Sequence, residues 1–86
     1  MHVKYRLKNL DTGWIFSGVI DGDRKAEPQL EALFQIGSGN GIGVNLFPDR
    51  VELTDYFHAS AMAVFGILSR EETTEPLSAK WGPHEQ

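Results

Sequence analysis

The chain has no cysteine. That absence excludes disulfide staples, thiolate metal sites and cysteine nucleophiles together. Long apolar runs are missing too. A membrane-spanning helix needs roughly 20 apolar residues, and the greasiest stretch here, Ala59 to Leu68, is far shorter. The opening MHVKYRLKNL lacks the charged-then-apolar layout of a secretory signal, so the expected location is the cytoplasm. Positive charge is scarce. Eight Lys and Arg against twelve Asp and Glu leave a net charge of -4. This argues against bulk attraction to nucleic acid or anionic lipid, and suits a basic protein partner.

What remains is a chain of 86 residues, 41% hydrophobic and 10% aromatic, which favours a folded globule over disorder. At this size one core is just sufficient, and stability must come from packing. One domain is expected over residues 1–70, followed by a polar tail over 71–86.

Val3, Tyr5 and Leu7 alternate with Lys4, Arg6 and Lys8, the two-residue period of a half-buried strand. Asn9 to Gly13 supplies turn residues. A second strand follows over Trp14 to Ile20, with Trp14, Phe16 and Ile20 on one face. Gly18 within it marks a bulge or a close approach of another element. Pro28 suits a first helical turn, and Leu30, Leu33 and Phe34 make an i, i+3, i+4 face. A helix is therefore predicted over Ala26 to Ile36, with Gly37 as its stop. Ile42, Val44 and Leu46 then alternate as a third strand, and Val51 to Leu53 is a short fourth.

The stretch TDYFHASAMAVFGILS, Thr54 to Ser69, places Phe57, Ala61, Phe65 and Leu68 at i, i+4, i+8 and i+11. That spacing predicts a long helix capped by Thr54 or Asp55, with Arg70 favourably near its end. Val64, Phe65, Gly66 and Ile67 oppose this assignment, because they are poor helix residues and three of them favour strands. The predicted fold is α+β: a four-stranded, mostly antiparallel sheet in ββαββα order, with two helices on one face. In the tail, Leu77 and Trp81 are the candidate anchors.

Five features carry the functional expectations. Gly37, Gly39, Gly41 and Gly43 recur at every second residue. A dinucleotide loop needs a strand before it and a helix after it, and here that order is reversed. No Gly-Lys-Ser/Thr follows, so a phosphate loop is excluded as well. The glycines read as a flexible connection, or as a mobile binding loop in which Asn40 could touch a partner. Lys4, Arg6 and Lys8 form a solvated row without the interleaved aromatics of a nucleic-acid platform. Asp55 and His58, at i, i+3, read as a local pair or as a proton-transfer pair. Glu52 adds a carboxylate, and His2 and His84 lie at the chain ends. Metal-ligand spacing is absent, and neither a metal nor a cofactor is expected. Trp81 either folds back or docks on a partner. Ala59, Ala63 and Gly66 make a small-residue strip on the predicted helix, a candidate face for a homodimer.

The expectation is a small acidic interaction protein without enzymatic activity. It would work as an adaptor, an inhibitor or an accessory subunit, in the manner of immunity or phage anti-defence proteins. Asp21, Asp23, Glu71, Glu72, Glu75 and Trp81 are its candidate contacts. A small-ligand domain whose glycine loop closes beside Trp14 and Phe16 is the alternative. An enzyme using Asp55 and His58 is more distant.

Overall fold

The computed structural model describes residues 1–36 and 41–82. Alternation does what it predicts in the first half. β1 (His2–Asn9) turns Tyr5 and Leu7 into the core, and β2 (Ile15–Asp21) pairs with it antiparallel, Leu7 opposite Phe16. The Asn9 side chain shapes the connection, its Oδ1 accepting from the N–H groups of Asp11 and Thr12 at 2.8 and 3.0 Å. At Gly18 a Cβ would sit 2.7 Å from the Phe16 ring and 3.1 Å from Leu33, so this glycine admits a close approach.

α1 (Ala26–Phe34) buries Leu30 and ends when Gln35 takes a left-handed conformation, φ 60°. The helix stops before the predicted Ile36, and Gly37 lies outside the described residues. Gln29 ties α1 to the end of β2. Its amide donates to the Asp21 and Lys25 carbonyls at 2.9 Å, and its Oε1 accepts from Asp21 N–H at 2.7 Å. β3 (Ile42–Leu46) and β4 (Arg50–Asp55) follow as an antiparallel pair.

The predicted long helix does not form. Thr54 and Asp55 end β4, Tyr56 to Ala59 make a turn, and β5 (Ser60–Thr73) runs for 14 residues. β6 (Ser78–Gly82) then pairs with β2. The fold is thus one six-stranded antiparallel sheet with a single short helix among the described residues, ordered β3-β4-β5-β1-β2-β6. It is not a four-stranded ββαββα domain. The physical reason lies in β5. Ala63, Phe65 and Ile67 pack toward the core with strand periodicity, and the β-favouring Val64, Phe65 and Ile67 prevail over the helical spacing. Register shifts against β4 and β1 leave Met62 and Leu68 as extra residues in β5. Such bulges interrupt the two-residue period and bend the strand. Arg70, read as a helix end, instead lies 5.9 Å from the Tyr5 ring centroid.

α1 packs on both β2 and β3, although β4, β5 and β1 lie between them in the sheet. The sheet must therefore curl around the helix. Tyr5, Leu7, Phe16, Ile20, Leu30, Val44, Val51 and Phe65 form the core it encloses. Among the described residues no polar or charged side chain is buried, and no helix is long and apolar enough to cross a membrane.

Candidate interaction site

The β4–β5 hairpin end is built from the residues that sequence patterns place in a helical stripe. Asp55, the expected helix cap, caps the turn instead. Its Oδ1 accepts from Phe57 N–H at 3.0 Å and His58 N–H at 3.3 Å. Ala59 then takes a positive φ of 51° to start β5. This geometry throws two rings sideways onto the start of β3. Phe57 lies over Gly41, whose backbone is left-handed (φ 70°) and where any Cβ would collide with the ring. Tyr56 lies over Gly43, where a Cβ would fall 2.6 Å from the ring.

The last two members of the glycine series thus have a steric role: they make room for aromatic side chains. Gly37, Gly39 and Asn40 lie outside the described residues. The Tyr56 backbone N–H donates to the Gly41 carbonyl at 2.8 Å. Its hydroxyl donates to Asn45 Oδ1 at 3.3 Å, and Asn45 Nδ2 donates to Thr54 Oγ1 at 2.8 Å. The rings are held from behind, yet Phe57 is 78% exposed and Tyr56 58%. Met62, at the first bulge, adds a third exposed apolar side chain at 55%. Apolar groups exposed together mark a contact surface more often than single exposed residues do.

His58 shares this turn. Its Nε2 lies 4.0 Å from Asp55 Oδ2, and the imidazole is exposed. Since Asp55 is already engaged by two backbone donors, the pair reads as turn chemistry. Glu52 is held elsewhere, accepting from Arg50 Nε at 2.6 Å. That bond is the main cause of the raised Arg50 pKa. Among the described residues no three His, Asp or Glu side chains converge as metal ligands would.

The acidic candidates gather at the opposite end of β5. Strand register sets His2 between Asp21 and Thr73, Val3 opposite Glu72, and Lys4 opposite Glu71. Asp23 accepts from the Met1 amino group at 2.9 Å. Glu75 accepts from Lys4 Nζ at 3.1 Å and from Thr73 Oγ1 at 3.2 Å. The Lys4 bond, then the Thr73 bond, hold the Glu75 carboxyl below its ordinary value. Lys4, Arg6, Ser69, Glu71 and Glu75 are among the residues around an open depression of about 380 Å³ here. Within the basic row of β1, Lys4 thus faces an acidic neighbour across the strands, while Arg6 stands opposite Ser17 and Ser69, and Lys8 opposite Ile15 and Gly66.

Trp81 folds back. It stands opposite Phe16 in the β2–β6 pair, with ring centroids 4.7 Å from Phe16, 5.5 Å from Phe34 and 6.0 Å from Phe65. Phe16 is fully buried beneath it, while Trp14 is exposed. The small-residue strip is not formed, because it needed a helix. Ala59 sits in the turn and Ala63 packs on the core. Gly66 pairs with Lys8 and Arg50, with its open side toward Leu10. His84 lies outside the described residues.

What sequence reading misses is the exposed hairpin end. The available signal was Asp55 directly before Tyr-Phe-His, an Asx-turn start, with Val64 to Ile67 beyond it suited to a strand. Comparison of the chain with protein-family models, with curated proteins and with solved structures gives no match in any of the three.

Proposed function

We propose that this chain is a non-enzymatic protein-binding module that docks through its β4–β5 hairpin end. The observation that supports this reading is the pair of exposed rings, Tyr56 and Phe57, seated on Gly41 and Gly43. A ring whose position is already set loses less freedom on binding than a free one, which lowers one cost of docking. Aromatic anchors of this kind commonly dominate binding energy. The partner surface would offer an apolar pocket for Phe57. The acidic groups Asp21, Asp23, Glu71, Glu72 and Glu75 lie at the far end, where they would steer a basic partner rather than grip it.

The test compares the wild-type chain with Phe57→Ser as immobilised bait for native-host proteins, read by mass spectrometry. A partner should be retained by wild type and bound about 30-fold more weakly by the variant, the effect of losing an anchor worth about 2 kcal/mol. Thermal stability should be nearly the same in both. Equal retention of the same partner by both chains would refute the reading.

A further inference from the structure

The two edges of the sheet are treated differently. At the β3 edge the helix supplies a guard: Glu31 Oε1 accepts from Val44 N–H at 3.3 Å, and Glu27 Oε2 from Leu46 N–H at 3.4 Å. Two carboxylates one helical turn apart thus occupy the groups that another strand would need. β6, at the other edge, has a strand partner only on its β2 side among the described residues. An open strand edge is a template for a further strand.

We propose that β6 pairs with β6 of a second copy of this chain, antiparallel, about a two-fold axis through Ala79. The axis position follows from the side chains. Ala79 and Trp81 share the helix-side face of β6, and Ser78 and Lys80 the opposite one. A two-fold axis normal to the sheet keeps the helix-side faces together, so it must pass through a residue. Through Ala79, it brings Leu77, the residue just before β6, toward Trp81 of the second copy, twice, with the two alanines between them. Leu77 is 56% exposed and Trp81 45%, so both have apolar surface to lose. On the other face Lys80 then stands opposite Ser78, which it can reach without repulsion. An axis through Lys80 would set two ammonium groups directly opposite one another, which is unfavourable. An axis through Ser78 would set Trp81 opposite Glu75. Of these three registers, the one through Ala79 alone matches apolar to apolar and avoids like charge. The product is a twelve-stranded sheet with a helix at each half, leaving both β4–β5 hairpin ends free.

The contact is small, so association is expected to be weak and to depend on concentration. The experiment is sedimentation equilibrium on the full chain, up to about 1 mM protein, for wild type, Ser78→Glu and Ser78→Lys. Ser78→Glu places a carboxylate opposite each Lys80 and should tighten the dimer about 2- to 30-fold for two exposed pairs. Ser78→Lys should weaken it by a similar factor. Opposite responses to the two substitutions cannot come from a general loss of folding, and melting curves check that both variants are folded. A single-chain mass for wild type and Ser78→Glu at every concentration would overturn the proposal. So would a dimer indifferent to both substitutions, or an edge that takes up only an extended peptide from another protein.

Discussion

β5 has two ends, and they are built on opposite principles. At the Glu71–Thr73 end charged groups pair locally: Lys4 with Glu75, Met1 with Asp23, and His2 Nδ1 2.7 Å from the Glu75 carbonyl. At the Ser60 end the turn presents Tyr56 and Phe57 to solvent, their rings lying over Gly43 and Gly41, and Met62 in β5 is exposed as well. Between them, bracketed by the bulges at Met62 and Leu68, Ala63, Phe65 and Ile67 feed the core. One strand thus carries a charge-paired end, a packed middle and an exposed apolar end. Exposed charge pairs contribute little to affinity and mostly shape long-range attraction. An uncovered aromatic pair has surface to bury. The difference separates what steers from what holds.

The largest expected effect comes from the packed middle, because both ends depend on it. Phe65 is buried and sits 5.3 Å from the Phe34 ring and 6.0 Å from that of Trp81. Phe65→Ala should cost about 3–5 kcal/mol, the lost transfer energy plus the cavity. Denaturant unfolding checks it. A loss well under 1 kcal/mol would mean that this part of β5 is not the strut joining the two ends.

A smaller effect is expected at the hairpin end, and it separates support from exposure. Gly41→Ala forces a side chain into a left-handed backbone, costing about 1–2 kcal/mol, and pushes Phe57 off its seat. Phe57→Ser removes an exposed ring and should change stability by no more than about 0.5 kcal/mol. Both should reduce partner binding, but only the first should lower the unfolding midpoint clearly. Equal stability of Gly41→Ala and wild type would show that the ring is not held in place, and the contrast between a preorganised end and a merely polar end would fail.

How much of this was legible follows from where the periods stay intact. β1 and β3 alternate in sequence, β2 is a β-favouring run after the Asn9 to Gly13 turn even though it buries both faces, and α1 shows its i, i+3, i+4 face with Pro28 in the first turn, so each was readable locally. β5 was not. The extra residues Met62 and Leu68 shift the phase of the alternation and leave Phe57, Ala61, Phe65 and Leu68 at a false helical spacing. β6 was hidden for another reason: just after Pro76, with Ala79 and Trp81 alone facing the core side, it carries too few apolar positions to show a period. The capping chemistry of Asp55 was readable, but its element was not, since an Asx turn and a helix cap use the same hydrogen bonds. The gathering of Asp21, Glu71 and Glu72 around His2 and Val3 depends on strand register, which no local pattern contains.

The smallest expected effect belongs to the charged end, and its signature is pH dependence rather than size. Lys4 and Thr73 hold the Glu75 carboxyl below its ordinary value of 4.5. A lowered carboxylate pKa means that the folded state binds the proton less readily than the unfolded chain does. The stabilisation is therefore complete above 4.5 and disappears as pH falls through the lowered folded value. Glu75→Gln should be slightly less stable than wild type near neutral pH and equal to it in acid, with the difference fading as salt is added. Denaturant midpoints across an acid series, at low and high salt, check both trends. A Glu75→Gln deficit that stayed constant into acid and ignored salt would make Glu75 a packing residue, and the two ends of β5 would then differ in shape alone rather than in the kind of force they use.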